Sequence, residues 1–327
     1  MARLNNRASV KPPVERARSA KPAGVHAQPV ARPSEVAAAH NALALPLDHL
    51  VINTHFEMNA AQTIFEQLGF TLTPRGRHSL GSINHLMVFE NDYLELIGLP
   101  SDGGPLRKEV LESPVGIDGL VFQTSDATRT HQLLQANGLA VQPVQAFTRP
   151  VELNGVVSEA RFETVRFEPG QFNAGRLYYC KHFTPELVWR KEWQAHRNGV
   201  KALSGLLIVC ESPQQEATHY VAAAGGVAVT GANGEYRVRG AQYSLVFVTA
   251  VQYAECFDGL TCVGGKRASF FGAIALQTAS LTPLRAALKR MQKNGLHTVA
   301  WREQPGRIAV QMPGFNTLLE FIEMSSS

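Results

Sequence analysis

Two apolar runs in this chain each carry one residue suited to chemistry. Leu47-Asp48-His49-Leu50-Val51-Ile52 holds a histidine, and Tyr93-Leu94-Glu95-Leu96-Ile97 holds a carboxylate. Both runs have the length and β-rich composition of short buried strands. A buried, unpaired carboxylate is costly, so it shifts its pKa, finds a partner or binds a metal. If the two strands are neighbours, His49 and Glu95 meet on one face. A neutral imidazole beside a carboxylate is half of a divalent-ion site, or else a self-satisfied hydrogen-bonded pair. His78 and His85 flank a Gly-Ser loop, with Asn84 beside it. These three are candidates to line the mouth of a cavity and bind substrate, with plain loop and hairpin roles as the alternative.

The chain around these residues is long enough for two domains. Its 327 residues, 45% hydrophobic and 18% charged, have a globular composition. No apolar run reaches the roughly 18 residues of a membrane span, so no membrane association is expected. The formal charge of +4 would suggest nucleic acid, but its location argues against that. Residues 1–40 contain seven Lys or Arg against only Glu15 and Glu35, which leaves the remainder near neutral. That leading segment is rich in Ala, Pro, Arg and Val and has no helical or alternating period, so it reads as a disordered basic extension. It lacks the apolar stretch of a secretory signal. Cys180, Cys210, Cys256 and Cys262 form no CxxC pair and sit mostly in apolar runs. They suit buried thiols in a reducing, cytoplasmic setting better than a disulfide framework or a zinc cluster.

Beyond residue 40 the chain repeats itself. The opening run leads into the helical pattern Ala60–Leu68, a glycine at Gly69 and the strand-like Phe70-Thr71-Leu72. The order recurs from Ile117-Asp118-Gly119-Leu120-Val121-Phe122 through a helix near Thr130–Leu134 to Gly138. It recurs again from Leu203–Ile208 through Ala217–Ala224 to Gly225, and from Gly272–Leu276 through Leu284–Gln292 to Gly295. Each glycine suits the left-handed residue that closes a helix. Further strand-like runs complete each copy, so the unit is βαβββ, four times over. One helix covers one face of such a curved sheet, and two units can close their open faces around a cavity. The expected fold class is α+β: four βαβββ modules paired into two cup-shaped mixed sheets with helices outside. Residues 41–199 would form the first pair and 200–327 the second. Trp189 and Trp193, spaced four apart, read as helical and as packing between the domains.

Four such units, a Leu-Asp-His-Leu-Val opening strand and a Tyr-Leu-Glu-Leu-Ile closing strand resemble the vicinal oxygen chelate superfamily. Gly69-Phe70-Thr71, Arg77-His78, Gly81-Ser82-Ile83-Asn84 and Tyr93-Leu94-Glu95 resemble the glyoxalase-like domain family within it. His182-Phe183-Thr184-Pro185-Glu186-Leu187-Val188-Trp189 and His196-Arg197-Asn198-Gly199 are similar too. The likeness is specific over 47–200 and rests on the repeat alone over 201–324.

The resemblance implies a divalent metal (Zn, Fe, Mn or Ni) at the base of the paired-unit cavity. First- and last-strand ligands then fall on His49 and Glu95, with Glu95 also the catalytic carboxylate. Gly119, Gly205 and Ala273 stand where a second first-strand histidine would be. His182, near the end of the second copy, becomes the candidate third ligand, and Gly119 is expected to leave room on the cavity floor. Glu320 matches Glu95 in position but has no histidine and suits a partner such as Arg307. The implied activity is a metal-dependent lyase, isomerase or dioxygenase acting on a small substrate with vicinal oxygens, with a homodimer as the expected assembly. The alternative is a non-catalytic protein that sequesters a small molecule in the same cavity.

Overall fold

The computed structural model describes residues 44–153, 155–295 and 298–324. The extension expected over residues 1–40 lies outside them. The first module contains β1 (Leu47–Asn53), α1 (Met58–Gln67), β2 (Gly76–Arg77), β3 (Ile83–Val88) and β4 (Tyr93–Gly98). A short helix α2 (Lys108–Glu112) leads to β5 (Gly116–Gln123), α3 (Ala127–Ala136), β6 (Gln145–Leu153), β7 (Val156–Arg166) and β8 (Arg176–His182). The third module holds β9 (Val200–Cys210), α4 (Pro213–Ala224), β10 (Ala228–Thr230), β11 (Tyr236–Arg239) and β12 (Ser244–Val248). Helix α5 (Ala250–Cys256) then precedes β13 (Ser269–Thr278), α6 (Thr282–Lys293), β14 (Ala300–Gln304), β15 (Arg307–Met312) and β16 (Thr317–Glu323).

The strands form two eight-stranded mixed sheets of identical plan. The first runs β2-β3-β4-β1-β5-β8-β7-β6 and the second β10-β11-β12-β9-β13-β16-β15-β14. Within a module the first and last strands pair in parallel, and the two first strands meet antiparallel at the centre. This is the α+β arrangement of four βαβββ modules in two cups. Each helix is held by its apolar stripe. Met58, Ala61, Ile64 and Phe65 are the buried residues of α1, at helical spacing. The glycines after the four module helices, Gly69, Gly138, Gly225 and Gly295, all have positive φ, as helix closure requires.

Two short helices and the long β6–β7 hairpin escaped the sequence reading. Pro150 lies within β6 and interrupts a strand pattern, but β6 is the edge of its sheet, where a missing N–H is tolerated. Trp189 and Trp193 do not share a helix. Trp189 follows the 3-10 turn Pro185–Leu187 and Trp193 ends a second one, Lys191–Trp193, and both pack into the first cup rather than between sheets.

Alternation along the strands sorts the core into three clusters. Leu50, Ile52, Leu120 and Phe122 face the helices and join Leu206, Ile208 and Ile274 of the second sheet in one continuous core. Val51, Val121 and Tyr178 line the inside of the first cup, and Val209, Ala273 and Leu318 the inside of the second. The sheets are tied further by Tyr179 Oη donating to the Ala223 carbonyl at 2.7 Å and Arg267 meeting Asp118 at 2.7 Å. The first cup nearly closes on itself. Ser79 N–H donates to the Thr148 carbonyl at 3.0 Å, and Thr148 N–H to Ser79 Oγ at 3.1 Å, joining the loop after β2 to β6. Cys180, Cys210 and Cys262 are buried and Cys256 partly so. Among the described residues no helix is long and apolar enough to cross a membrane.

Asp92, in the β3–β4 turn, accepts the Leu203 N–H at 3.1 Å and so links the two sheets. Burial pushes its carboxyl up to about 7; the Leu203 bond opposes this and the Asp48 charge adds to it. A pKa above the unfolded value means that folding favours the protonated form. The stabilisation is complete below the unfolded value near 3.8 and is lost as pH rises through about 7. Asp92→Asn is expected to flatten this loss. Urea midpoints measured at about pH 6 and about pH 8 should fall in the native chain and agree in the variant; a parallel fall in both would contradict the assignment.

Candidate functional site

The floor of the first cup is built by a bulge. Leu47 pairs with Phe122 and His49 with Val121, so Asp48 is an extra residue in β1. The bulge brings Asp48 and His49 together. His49 Nδ1–H donates to Asp48 Oδ1 at 2.6 Å, which leaves the Nε2 lone pair free. Asp48 is fully buried and its pKa is lowered to about 2. Burial alone would raise it, and the charges and hydrogen bonds of His182 and His49 overcome that.

His49 Nε2 faces Glu95 Oε2 across 3.6 Å. The pairing of β1 with β4 sets Val51 level with Glu95 and His49 level with Tyr93, whose ring stacks on the imidazole at 4.3 Å. Asn84 Nδ2 donates to the other carboxylate oxygen, Glu95 Oε1, at 2.7 Å. The same amide donates to His78 Nε2 at 3.2 Å, so His78 carries its proton on Nδ1, toward Ser82 Oγ at 2.8 Å. His78 Nε2 lies 3.9 Å from Glu95 Oε1. Burial, then the charges of Arg149 and Arg107, holds the His78 pKa well below the ordinary histidine value. Tyr178 Oη donates toward His49 Nε2 at 3.4 Å. Burial and the Glu95 charge push its phenol pKa up, so it remains a donor.

The structure therefore gathers His49, Glu95, His78 and Asn84 around one small cavity of about 30 Å³. It places the other two candidates elsewhere. His85 sits on the opposite face of β3: Nδ1 bonds the Thr73 carbonyl at 2.7 Å and Nε2 accepts from Arg75 at 3.1 Å. His182 donates from Nε2 to Asp48 at 3.1 Å, not toward Glu95, and packs on Trp189 at 4.8 Å. The reason is register. β5 and β8 pair Val121 with Tyr178, so Tyr178 occupies in module two the position of Glu95 in module one. His182 lies four residues further along the same strand face, beyond the floor.

Sequence reasoning passed over Tyr178, Asp48 and Arg149. The repeat register would have found Tyr178. Alternation would have found Arg149, which shares the inward face of β6 with Phe147 and Val151. Asp48 had its own signal, an acid at the same place in module two, Asp118. Asp118 is likewise the extra residue of a bulge, between Gly119 opposite Val51 and Ile117 opposite Ile52, and it binds Arg176 and Arg267.

Gly119 does not leave open floor. A Cβ there would lie 2.6 Å from Val51 Cγ2, because Val51 fills the space. In the second cup the four equivalent positions are Gly205, Val246, Ala273 and Glu320, and Glu320 is held by Arg307 at 2.6 Å.

A profile of the glyoxalase-like domain matches residues 47–224. The chain belongs to the glyoxalase-like domain family. That domain is of the vicinal oxygen chelate type, and the match runs on from the first cup through β9 and α4. A hypothetical protein from Staphylococcus aureus has the same fold, with 10% identity over 86% of this chain and 100% of its own, at a TM-score of 0.58. A xylose isomerase-like TIM barrel/4-hydroxyphenylpyruvate dioxygenase fusion protein aligns with 14% identity and a TM-score of 0.50, over 88% of this chain and 51% of its own. A search of curated proteins finds no match to the chain.

The donor set fits a divalent ion of this family. Two ligands of one ion at about 2.0–2.2 Å each stand roughly 3–3.6 Å apart, and His49 Nε2 and Glu95 Oε2 have that separation. Asp48 behind His49 supplies the carboxylate–histidine support such ligands have. A second cluster, Asp48, Cys180 and His182, brings ligand-type atoms within 4.8 Å of one another. It suits a metal less well, because the imidazoles of His49 and His182 already engage Asp48 Oδ1.

Filling the Gly119 position should strain the floor. Gly119→Ala is expected to cost about 1–3 kcal/mol by overpacking, read by urea denaturation. Combined with Val51→Ala it should cost clearly less than the two single changes added together. Strict additivity would show that Val51 does not fill the space.

Proposed function

We propose that the chain is a divalent-metal-dependent enzyme acting on a small substrate with two adjacent oxygens, the proton-moving chemistry taking place in the first cup. One observation carries this reading: His49 Nε2, its tautomer fixed by Asp48, faces an unbonded Glu95 oxygen at 3.6 Å inside the first cup. His49 and Glu95 would hold the ion, with His78 behind them on the Asn84 amide. When bound, the ion supplies Lewis acidity that stabilises negative charge on a substrate oxygen.

The protein's own groups do the rest. With Oε2 toward the ion, Glu95 Oε1, oriented by the Asn84 amide, is the oxygen left to take a proton from the carbon beside the substrate oxygens. Tyr178 stays protonated and offers its hydroxyl to a substrate oxygen near His49. Leu86, Phe147, Phe162 and Val188 wall the site and limit water. This division of labour suits a lyase or isomerase; a dioxygenase would draw on the same ligands.

The second reading, a binder that turns nothing over, draws support from the other cup. There a cavity of about 870 Å³ faces Gly205, Ala273, Val246 and the Arg307–Glu320 pair, so it has room, and no cluster of three ligand-type residues lines it among the described residues.

Metal content decides between them. Protein grown with Zn, Fe, Mn and Ni is expected to carry one equivalent of ion. His49→Ala and Glu95→Ala should lose it, His78→Ala should bind about 10–100-fold more weakly, and His182→Ala should retain it. An ion-free native protein would sink the enzyme reading. Loss in His182→Ala with retention in Glu95→Ala would move the ion to the Asp48 cluster.

A further inference from the structure

The ligand set leaves Arg149 of the first cup unexplained. Its position on β6 turns it inward, and it is only 3% exposed. Nη2 is buried without a hydrogen-bond partner. Among the described residues no carboxylate forms an ion pair with it; Glu95 and Tyr93 are the groups whose charge acts on it from a distance. Its Cδ lies 2.6 Å from where a Cβ on Gly76 would stand, so a glycine there is what leaves room for the side chain. Gly76 is thus a place where the backbone gives way to the arginine. Arginine stays charged in proteins, and a buried charge without a partner is a heavy penalty on folding. Such a group is explained if its counter-charge arrives with the ligand.

The surroundings say what form that counter-charge takes. Asn84 Oδ1, also beside Gly76, is a buried acceptor without a partner. An orphan cationic donor next to an orphan acceptor matches an acid oxygen pair beside a hydroxyl. Both face the cavity that holds His49 and Glu95. The cavity there has room for little more than such a head group. Arg107 and Tyr178 line both this cavity and a wider pocket of about 350 Å³. The body of a ligand would occupy that wider pocket.

We propose that Arg149 is a carboxylate receptor and that the substrate is a small hydroxy-carboxylate, its acid group on Arg149 and its hydroxyl toward Asn84 and the His49–Glu95 pair. This deepens the enzyme reading above and rests on it for the reaction, but not for the binding.

Lactate and phenyllactate, with lactamide and phenyllactamide as uncharged analogues, serve as probes in thermal unfolding and calorimetric titration. The native chain is expected to melt a few degrees higher with the acids and not with the amides. His49→Ala should keep that response, so a failure of the metal reading leaves this result intact. Arg149→Met keeps the length of the side chain and removes its charge. It should melt higher than the native chain without ligand and lose the response to both acids, while its metal content is unchanged. An Arg149→Met protein that melts lower than the native chain would show that the guanidinium is already satisfied by the fold. That result, an equal response to acids and amides, or no response to either acid, overturns the proposal.

Discussion

One fully buried carboxylate organises the first cup. Asp48 reaches the cup because β1 carries an extra residue, and it is held there by two imidazoles, His49 at 2.6 Å and His182 at 3.1 Å. Without that bulge, strict alternation would turn Asp48 to the helix side, where it would meet the apolar core. With it, His49 has one tautomer and one orientation, and its free nitrogen is aimed at Glu95. His182 acts on the site through Asp48, helping to keep that carboxylate ionised in an apolar setting.

The same bulge recurs in all four modules, with different uses. In module two the extra residue is Asp118, which turns to Arg176 and Arg267 and helps tie the sheets together. In the second sheet the extra residues are Ser204 and Gly272. One backbone device thus supplies a polar anchor for an imidazole in one place, an ion pair across the two sheets in another, and nothing charged in the other two. The floor positions diverge in the same way, with histidine, glutamate and tyrosine in one cup against glycine, valine, alanine and an arginine-bound glutamate in the other. Chemistry is concentrated in one cup and volume in the other.

Much of this was legible from the sequence, and the limits have physical causes. The βαβββ repeat showed itself because each unit has the same alternation, apolar helix stripe and helix-closing glycine. His49 and Glu95 stood out because polar residues in apolar strands are conspicuous. The direction of His182 was not legible because a histidine at a strand end shows its residue type but not its register, and a position four residues beyond Tyr178 on β8 meets Asp48 and not Glu95. Tyr178 was overlooked because a tyrosine in a strand reads as packing. Arg149 escaped because an arginine in an edge strand ordinarily faces solvent, and its burial depends on the cup edges meeting at Ser79 and Thr148. No single segment encodes that closure.

The contact between Val51 and Gly119 has a consequence for the routes open to this fold under mutation. Position 119 is where a second first-strand histidine would complete the floor, and Val51 occupies its space. A chain that changed glycine to histidine there in one step would meet a steric clash before it gained a ligand. Shrinking Val51 first opens the space at the expense of core packing and returns nothing until the second change. The two steps are passable in one order and blocked in the other, so the present donor set is a local trap in sequence space. New activities in this cup are reached more readily by changing what lies around His49 and Glu95 than by adding to them.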